Sequence, residues 1–547
     1  MSTNISKQKR DDLLNKIREI RTYIASAKQD DNTARLLSYL SELEKDVNGK
    51  KYGLVFEEHR EEIDEVLDTH TPVLSEEKDL FIDNGGKMNF LIEGDNLASL
   101  KLLEKTHKGR VDLIYIDPPY NTGNQDFIYD DTFVDKTDLF RHSKWISFIA
   151  NRLQIAKKLL STKGSIFISI DNNEQSHLKI LCDEIFGSEN FVDMISWFKK
   201  ASPSNDAQYF SNDIEYILIY ARDKKVWRPY RLPLTDKQMK YYQNPDNDPR
   251  GVWNSATYTC NKTKEQRPSL YYPIVNPHTG KEVWPKETAV WAYSKEQCQS
   301  HIEDGLLFWG VDGTAKFPRF KKFLTNHQGV VNRTLWHYDD VNHTQGASGE
   351  LKSLGITGFA TPKPTRLIDR IIRIATDTDS IILDFFAGSG TTGHAVLNFN
   401  AEHEDSNRRF ILCTNNENNI CREVTYERIK RVIDKEGYVA SLKYYKVDYI
   451  PISDRMYYEY ADELLAHIRE LVELENGVNF RGNDKIGIVL TEEELDDFIS
   501  QLENNTKYQK LYLGHDILMD SQQAQMLKNR KISINIIPDY YYKELEG

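Results

Sequence analysis

The chain has 547 residues, 39% of them hydrophobic and 28% charged, which is an ordinary globular mix and too long for one compact core, so two to four domains are expected. No apolar run approaches the roughly 20 residues of a membrane span, and the polar opening "MSTNISKQKRDD" has no signal-peptide core. Five scattered cysteines without a C-x-x-C pair indicate neither a disulfide framework nor a zinc site, the cytosol is the expected compartment, and the net charge of −13 weighs against a polyanionic partner unless charge is segregated.

Residues 1–75 read as helical, with Leu13, Leu14, Ile17, Ile20 and Ile24 near helical spacing and "THTPVLSEEKD" as a linker. From 76 to 221 strands and helices alternate. "MNFLIEGD", "VDLIYIDPPY" and "SIFISID" are short apolar runs that end in acids. "NLASLKLLEKTHKG" and the segment carrying Trp145, Phe148, Ile149, Leu153, Ala156, Leu159 and Leu160 have helical periodicity. Alternation of this kind implies parallel pairing in an open α/β sheet, whose ligands sit beyond the carboxyl ends of the strands. Asp95, Asp117 and Asp171 would share that edge.

Between 222 and 352 the chain changes character. The stretch from Arg222 to Glu350 has 19 Lys and Arg against 14 Asp and Glu, and it holds six of the eight tryptophans. A mildly basic, aromatic-rich insert in an acidic protein fits a nucleic-acid surface; a β-rich domain with an aromatic core fits as well. "HTQGASGELKSLGITG" then marks a boundary or mobile loop. Residues 353–440 resume with helix, strand, Gly-rich turn and helix in "TPKPTRLIDRIIRIATDTDSIILDFFAGSGTTGHAV", then the strand "RRFILCTN". Residues 441–547 give helix, strand, helix and strand, ending in "SINIIPDYYY".

Two stretches carry chemistry. In "DLIYIDPPYNTG" a buried strand stops at Asp117, and Pro118 and Pro119 lock the backbone and remove two N–H donors, leaving a rigid set of acceptors beside the Tyr120 ring. In "DFFAGSGTTG", Gly388, Gly390 and Gly393 follow a strand and open a helix, so a ligand can approach the backbone and the free N–H groups of the helix N-terminus. A nicotinamide enzyme would place an acid after the next strand. That strand ends at Thr414-Asn415-Asn416 with Glu417 slightly beyond, and no Lys-Ser/Thr follows to make a P-loop.

D-P-P-Y together with D-x-F-x-G-x-G-T resembles the paired signatures of S-adenosylmethionine-dependent amino-methyltransferases. Their order, with an insert between, resembles the β-class of adenine-specific DNA N6-methyltransferases. The whole chain, through "KYGLVFEE", "GDNLASLKLL", "DPPYNTGNQDFIYDD", "TPKPTRLIDRII" and "IIPDYYY", is similar to the modification subunit of a Type III restriction–modification system. The resemblance implies a doubly wound, mostly parallel Rossmann-like α/β sheet, interrupted by a target-recognition insert and flanked by helical and small α/β segments.

It also implies roles. Asp117 and the Pro118 carbonyl, held by Pro119, would accept the hydrogens of a flipped adenine amino group and localise the nitrogen lone pair, with Tyr120 stacking on the base. Asp384, Phe386, Gly388, Gly390, Thr391, Lys363 and Pro364 map to the S-adenosylmethionine pocket. Asp95 matches an acid on the cofactor's adenine, though it reads equally as a helix N-cap. Thr414 stands where relatives carry the ribose acid, with Glu417 as its substitute. Trp197 falls where relatives have a second aromatic at the base, with core burial as its other reading. Duplex DNA, a homodimer and a helicase–nuclease subunit are the implied partners, and no metal is. A solitary methyltransferase, and a recognition subunit with little activity of its own, stay open.

Overall fold

The computed structural model describes residues 5–26, 31–48, 56–123, 128–129, 132–135, 137–205, 207–452, 463–480, 483–502, 507–514 and 516–537. Residues 51–55, 124–127 and 538–547, which contribute to the quoted motifs, lie outside them. The chain divides into two compact units, Met1–Arg228 with Thr334–Gly547, and Pro229–Arg333.

The first unit is built on a ten-stranded sheet. Its strands in chain order are β1 (His70–Glu76), β2 (Lys87–Glu93), β3 (Val111–Ile116), β4 (Leu160–Ile170), β5 (Phe191–Phe198), β6 (Ile214–Ala221), β7 (Leu335–Trp336), β8 (Ile381–Asp384), β9 (Arg409–Thr414) and β10 (Ala440–Pro451). They lie in the order β1-β10-β2-β9-β8-β3-β4-β6-β5-β7. From β10 to β4 every pairing is parallel; β1 and β6 run antiparallel to their neighbours. The parallel strands are continuous Val/Ile/Leu runs because helices cover both faces. Leu91, Ile92, Leu113, Ile114, Ile116, Ile166, Ile168, Ile382 and Leu383 are fully buried.

The chain leaves β3 toward β4 on one side and leaves β8 toward β9 on the other. The carboxyl edge between β3 and β8 is therefore the switch point of this doubly wound sheet, where such folds open a crevice. Gly393, in the helix Thr391–Glu402, sets the spacing there. A Cβ at this position would come within 2.8 Å of Ile429 Cδ1 and 3.0 Å of Leu412 Cδ1. Gly393→Ala is expected to cost about 1–3 kcal/mol by overpacking, seen as a lower thermal midpoint; an unchanged midpoint would mean the helix can shift freely.

Several sequence expectations need correction, among them the reading of "HTQGASGELKSLGITG" as a loop, since Thr344–Ser353 within it is a helix. "THTPVLSEEKD" is not a linker: His70–Glu76 is the outer strand β1, because Val73 and Leu74 are buried and Pro72 is tolerated on an edge strand. The boundary at 440/441 cuts β10, which inserts between β1 and β2. Beyond it, Ile486–Val489, Lys510–Leu513 and Ser533–Ile536 form a separate parallel three-stranded sheet with the helices Glu492–Leu502 and Ser521–Asn529.

The second unit has a three-stranded sheet (Trp253–Thr257, Leu307–Phe308, Arg319–Phe323) and a core of Tyr258, Tyr272, Ile274, Trp291, Cys298 and Trp309. Its indoles at 253, 291 and 309 are thus core, and Trp284 is half exposed. Residues 334–352, grouped with the insert by sequence, belong to the first unit. Among the described residues, no helix is long and apolar enough to cross a membrane.

Candidate active site

At the end of β3 the Asp-Pro-Pro-Tyr turn is gripped from the helix Arg141–Leu159. Trp145, wholly buried, donates its indole N–H to the Pro119 carbonyl at 2.7 Å. Asp117 stays one quarter exposed and faces a cluster of charges brought from three other segments. Lys363 Nζ lies 2.5 Å from Asp117 Oδ2 and 3.6 Å from Glu215 Oε2. Lys199 Nζ, just past β5, lies 2.9 Å from Glu215 Oε1. The Tyr120 hydroxyl is 2.8 Å from Asp117 Oδ1 and 3.1 Å from Glu215 Oε2, so its one proton serves two acceptors. Lys363 Nζ also stands 5.0 Å from the Tyr120 ring centroid.

Two carboxylates and two ammonium groups balance one another. Burial pushes the Asp117 carboxyl up and Glu215 adds to it, against the pull of Lys363. For Glu215 burial works the same way, but Lys363 and Lys199 outweigh it and hold the carboxylate below its usual range. Burial disfavours the Lys363 ammonium, yet Asp117 and Glu215 outweigh it and raise its pKa, so Lys363 stays charged.

The Gly-rich turn lies beside this cluster. Gly388 and Gly390 have φ of 47° and 74°, the left-handed region that favours glycine. Gly390 opens the helix Thr391–Glu402 without a capping side chain. Asp384, only 2% exposed, accepts from Phe386 N at 3.0 Å and from the Thr392 hydroxyl at 2.5 Å, which shapes the turn from within. Buried Arg428 holds its far side through Thr391 Oγ1 (2.8 Å) and Ser389 Oγ (3.1 Å).

Burial pushes the Asp384 carboxyl from 3.8 up to about 7, more than the Thr392 and Phe386 hydrogen bonds pull it down. Between those values the folded chain keeps a proton that the unfolded chain has released. Asp384 therefore makes stability fall as pH rises from 3.8 to about 7, and its cost is fully present above that. Asp384→Asn is expected to remove this share of the slope in melting curves taken across that range; an identical slope would assign the titration to another group.

Lys363 joins the two turns. The Thr391 hydroxyl donates to its carbonyl at 3.0 Å, while its ammonium reaches Asp117. Sequence reasoning placed Lys363 in the cofactor pocket. Its backbone lies next to Pro364 at the N-cap of the helix Thr365–Ala375 and touches the Gly-rich turn through Thr391, while its side chain pairs with Asp117. Glu215 and Lys199 were missed altogether; an acid at the start of the apolar strand "IEYILIYA" was the available signal.

The other assignments fare unevenly. Asp95 Oδ1 accepts from Leu97 N (2.7 Å) and Ala98 N (3.2 Å), so it is a helix N-cap, and its Oδ2 lies 3.6 Å from Arg152. Glu417 is exposed on a 3-10 turn and accepts from Asn415 Nδ2 at 2.6 Å. Phe386 packs on Phe148. Of the two readings of Trp197 the core one holds and base stacking is withdrawn: it is 1% exposed within β5, and its indole N–H is spent on the Asn342 carbonyl at 3.1 Å, which leaves no open face for a base.

Residues 111–427 match the family model described as DNA methylase. Over 396 residues the chain is 36% identical to the Type III restriction–modification enzyme StyLTI Mod subunit of Salmonella typhimurium, covering 66% of this chain and 59% of that one. It is 30% identical to the EcoPI Mod subunit of Escherichia phage P1, covering 64% and 63%. The chain thus spans about three fifths of the length of both. It is 32% identical to the Type II methyltransferase M.KpnI of Klebsiella pneumoniae, covering 65% of this chain and 90% of that one. The match takes in more than half of the sequence and both turns that flank the β3/β8 crevice, and on that ground the chain belongs to the DNA methylase family.

Proposed function

We propose that the chain transfers a methyl group from S-adenosylmethionine to adenine N6 in duplex DNA after flipping the base, and that it is the modification and specificity subunit of a Type III restriction–modification system. The observation that carries this reading is the Asp117-Pro118-Pro119-Tyr120 turn, locked beside the Asp384 Gly-rich turn at one switch point, with Lys363 joined to both.

The donor set fits the cofactor. Left-handed Gly388 and Gly390 fold the turn, Asp384 holds it from within, and the uncapped helix start presents N–H groups to a carboxylate. Bound there, S-adenosylmethionine supplies an electrophilic methyl group. Asp117 and the Pro118 carbonyl accept the two amino hydrogens of the base, which draws the nitrogen lone pair out of the ring. To do so Asp117 exchanges part of its contact with Lys363 for the amino group, and Glu215 keeps the ammonium neutralised during the exchange. Tyr120 gives the base a π-face, and its hydroxyl steadies Asp117. Base readout is assigned to the basic unit Pro229–Arg333, through Arg, Lys, Asn or Gln side chains.

A second reading is a methyltransferase without a restriction partner, since the chain covers 90% of M.KpnI, named a Type II methyltransferase, against about three fifths of the Type III Mod subunits. Expression in a host lacking adenine methylation, followed by modification-sensitive sequencing, tests the activity. N6-methyladenine confined to one short motif is expected, and modified cytosine instead would refute the acceptor assignment. A stable complex with a co-expressed helicase–nuclease subunit supports the Type III assignment and the lack of one supports the solitary enzyme; sedimentation of the purified chain tests the homodimer.

A further inference from the structure

Tyr120 is followed by Asn121, which no part of the mechanism above uses. It is completely buried, with φ of 55°, a left-handed conformation that costs a side chain energy but that Asn tolerates better than most. Both hydrogens of its amide are committed. Nδ2 donates to Glu174 Oε1 at 2.6 Å and to the Arg141 carbonyl at 3.1 Å. Glu174 is itself 0% exposed and precedes the helix Gln175–Phe186. Its carboxyl is ringed by two imidazoles: His142 Nδ1 lies 2.6 Å from Oε1, and His177 Nδ1 lies 2.9 Å from Oε2.

A His-Glu-His group raises the question of a metal, since its ligand-type atoms lie within 4.8 Å of one another. The neighbouring hydrogen bond answers it. Arg141 Nε donates to His142 Nε2 at 3.1 Å, so Nε2 is the acceptor nitrogen and Nδ1 carries the hydrogen, pointed at Glu174. A metal ion would need the Nδ1 lone pair, at about 2 Å. The arrangement is a hydrogen-bonded hub. Burial pushes the Glu174 carboxyl up to about 8, so the hub holds a proton at neutral pH, for which His177 Nδ1 is the acceptor.

We propose that Asn121, Glu174 and His142 are positioning residues for methyl transfer, fixing the backbone after Tyr120 so that the Asp117–Tyr120 turn keeps its productive geometry at the base. The hub rests on the reading of the chain as a base-amino methyltransferase. Its logic is local. Pro118 and Pro119 stiffen the turn from within, Trp145 fixes the Pro119 carbonyl, and the hub anchors the exit at Asn121. An anchor at only one end would let the turn pivot. A displacement of about 1 Å in a reacting group can cost 100-fold in rate.

The test uses the purified full chain with DNA containing its motif. It measures kcat, KM for DNA, cofactor affinity and thermal midpoint for wild type, Glu174→Ala, Glu174→Gln, Asn121→Ala and His142→Phe. Glu174→Ala and Asn121→Ala are expected to lower kcat by about 10- to 100-fold, with KM and cofactor affinity nearly unchanged. Glu174→Gln should restore most of kcat, because its carbonyl oxygen still accepts from Asn121 and His142 while its NH2 replaces the acid proton toward His177. If Glu174→Ala does not fold, the Asn121→Ala and Gln variants decide.

Full activity in Asn121→Ala would overturn the proposal, as would a lowered thermal midpoint with kcat intact. So would one equivalent of bound zinc in the wild type whose removal by a chelator abolishes activity. A wild-type chain that never labels adenine instead brings down the functional reading on which the hub rests.

Discussion

Asp117→Ala is expected to lower the rate of methyl transfer by about 100- to 1,000-fold, the range seen when a preorganised hydrogen-bonding group at a reacting centre is removed. The fold should survive the change. Lys363 loses its nearest carboxylate but keeps Glu215 at 3.6 Å, so no ammonium is left without a counter-charge. Cofactor affinity should hold as well, because the Gly-rich turn is shaped by Asp384, Thr392 and Arg428 rather than by Asp117. Single-turnover methylation together with equilibrium cofactor binding separates these terms. A variant that binds cofactor and methylates at the wild-type rate would remove Asp117 from the reacting centre.

Lys363→Met has the other large effect, and it acts through charge. Removing the ammonium while keeping the side-chain length leaves Asp117 and Glu215 partly buried together, with Lys199 contacting Glu215 alone. Breaking a buried ion pair by removing one partner costs about 3–5 kcal/mol. The chain can relieve this by protonating Asp117. Burial and Glu215 already push that carboxyl up, and Lys363 is the main force opposing them. The variant should therefore melt earlier, and its activity should need a higher pH, because a protonated Asp117 cannot accept from the base. The acid limb of the kcat–pH profile is expected to move upward. A profile that stays in place would mean that Lys363 does not govern the ionisation of Asp117.

These two residues also mark how far the sequence alone reaches. Asp117 through Tyr120 are contiguous, and their chemistry is written in the order of four residues; the same holds for Asp384 to Thr391. Lys363 lies 246 positions from its carboxylate, and they meet because the helix Thr365–Ala375 after Lys363 leads into β8, which pairs in parallel with β3. Glu215 could be seen as an acid in an apolar strand, but its direction follows from β6 running antiparallel to β4, which puts its first residues at the carboxyl edge of the sheet. Asn121, Glu174 and His142 come from a turn and two helix starts, none with an unusual local pattern. Trp197 shows the opposite failure. Family resemblance offered an aromatic at the base beside a core reading, and close packing in β5 took the ring into the core. The edge strand β1 was hidden by Pro72, which reads as a linker residue unless the strand is known to lie outermost.

The most direct test of the account gives the purified chain S-adenosylmethionine carrying a labelled methyl group and unmethylated mixed-sequence DNA. The DNA is then digested to nucleosides and the labelled one identified, with Asp117→Ala in parallel. Label in N6-methyldeoxyadenosine that disappears with Asp117 is the predicted result. Label in a cytosine nucleoside, or adenine label that persists without the Asp117 carboxylate, would contradict it.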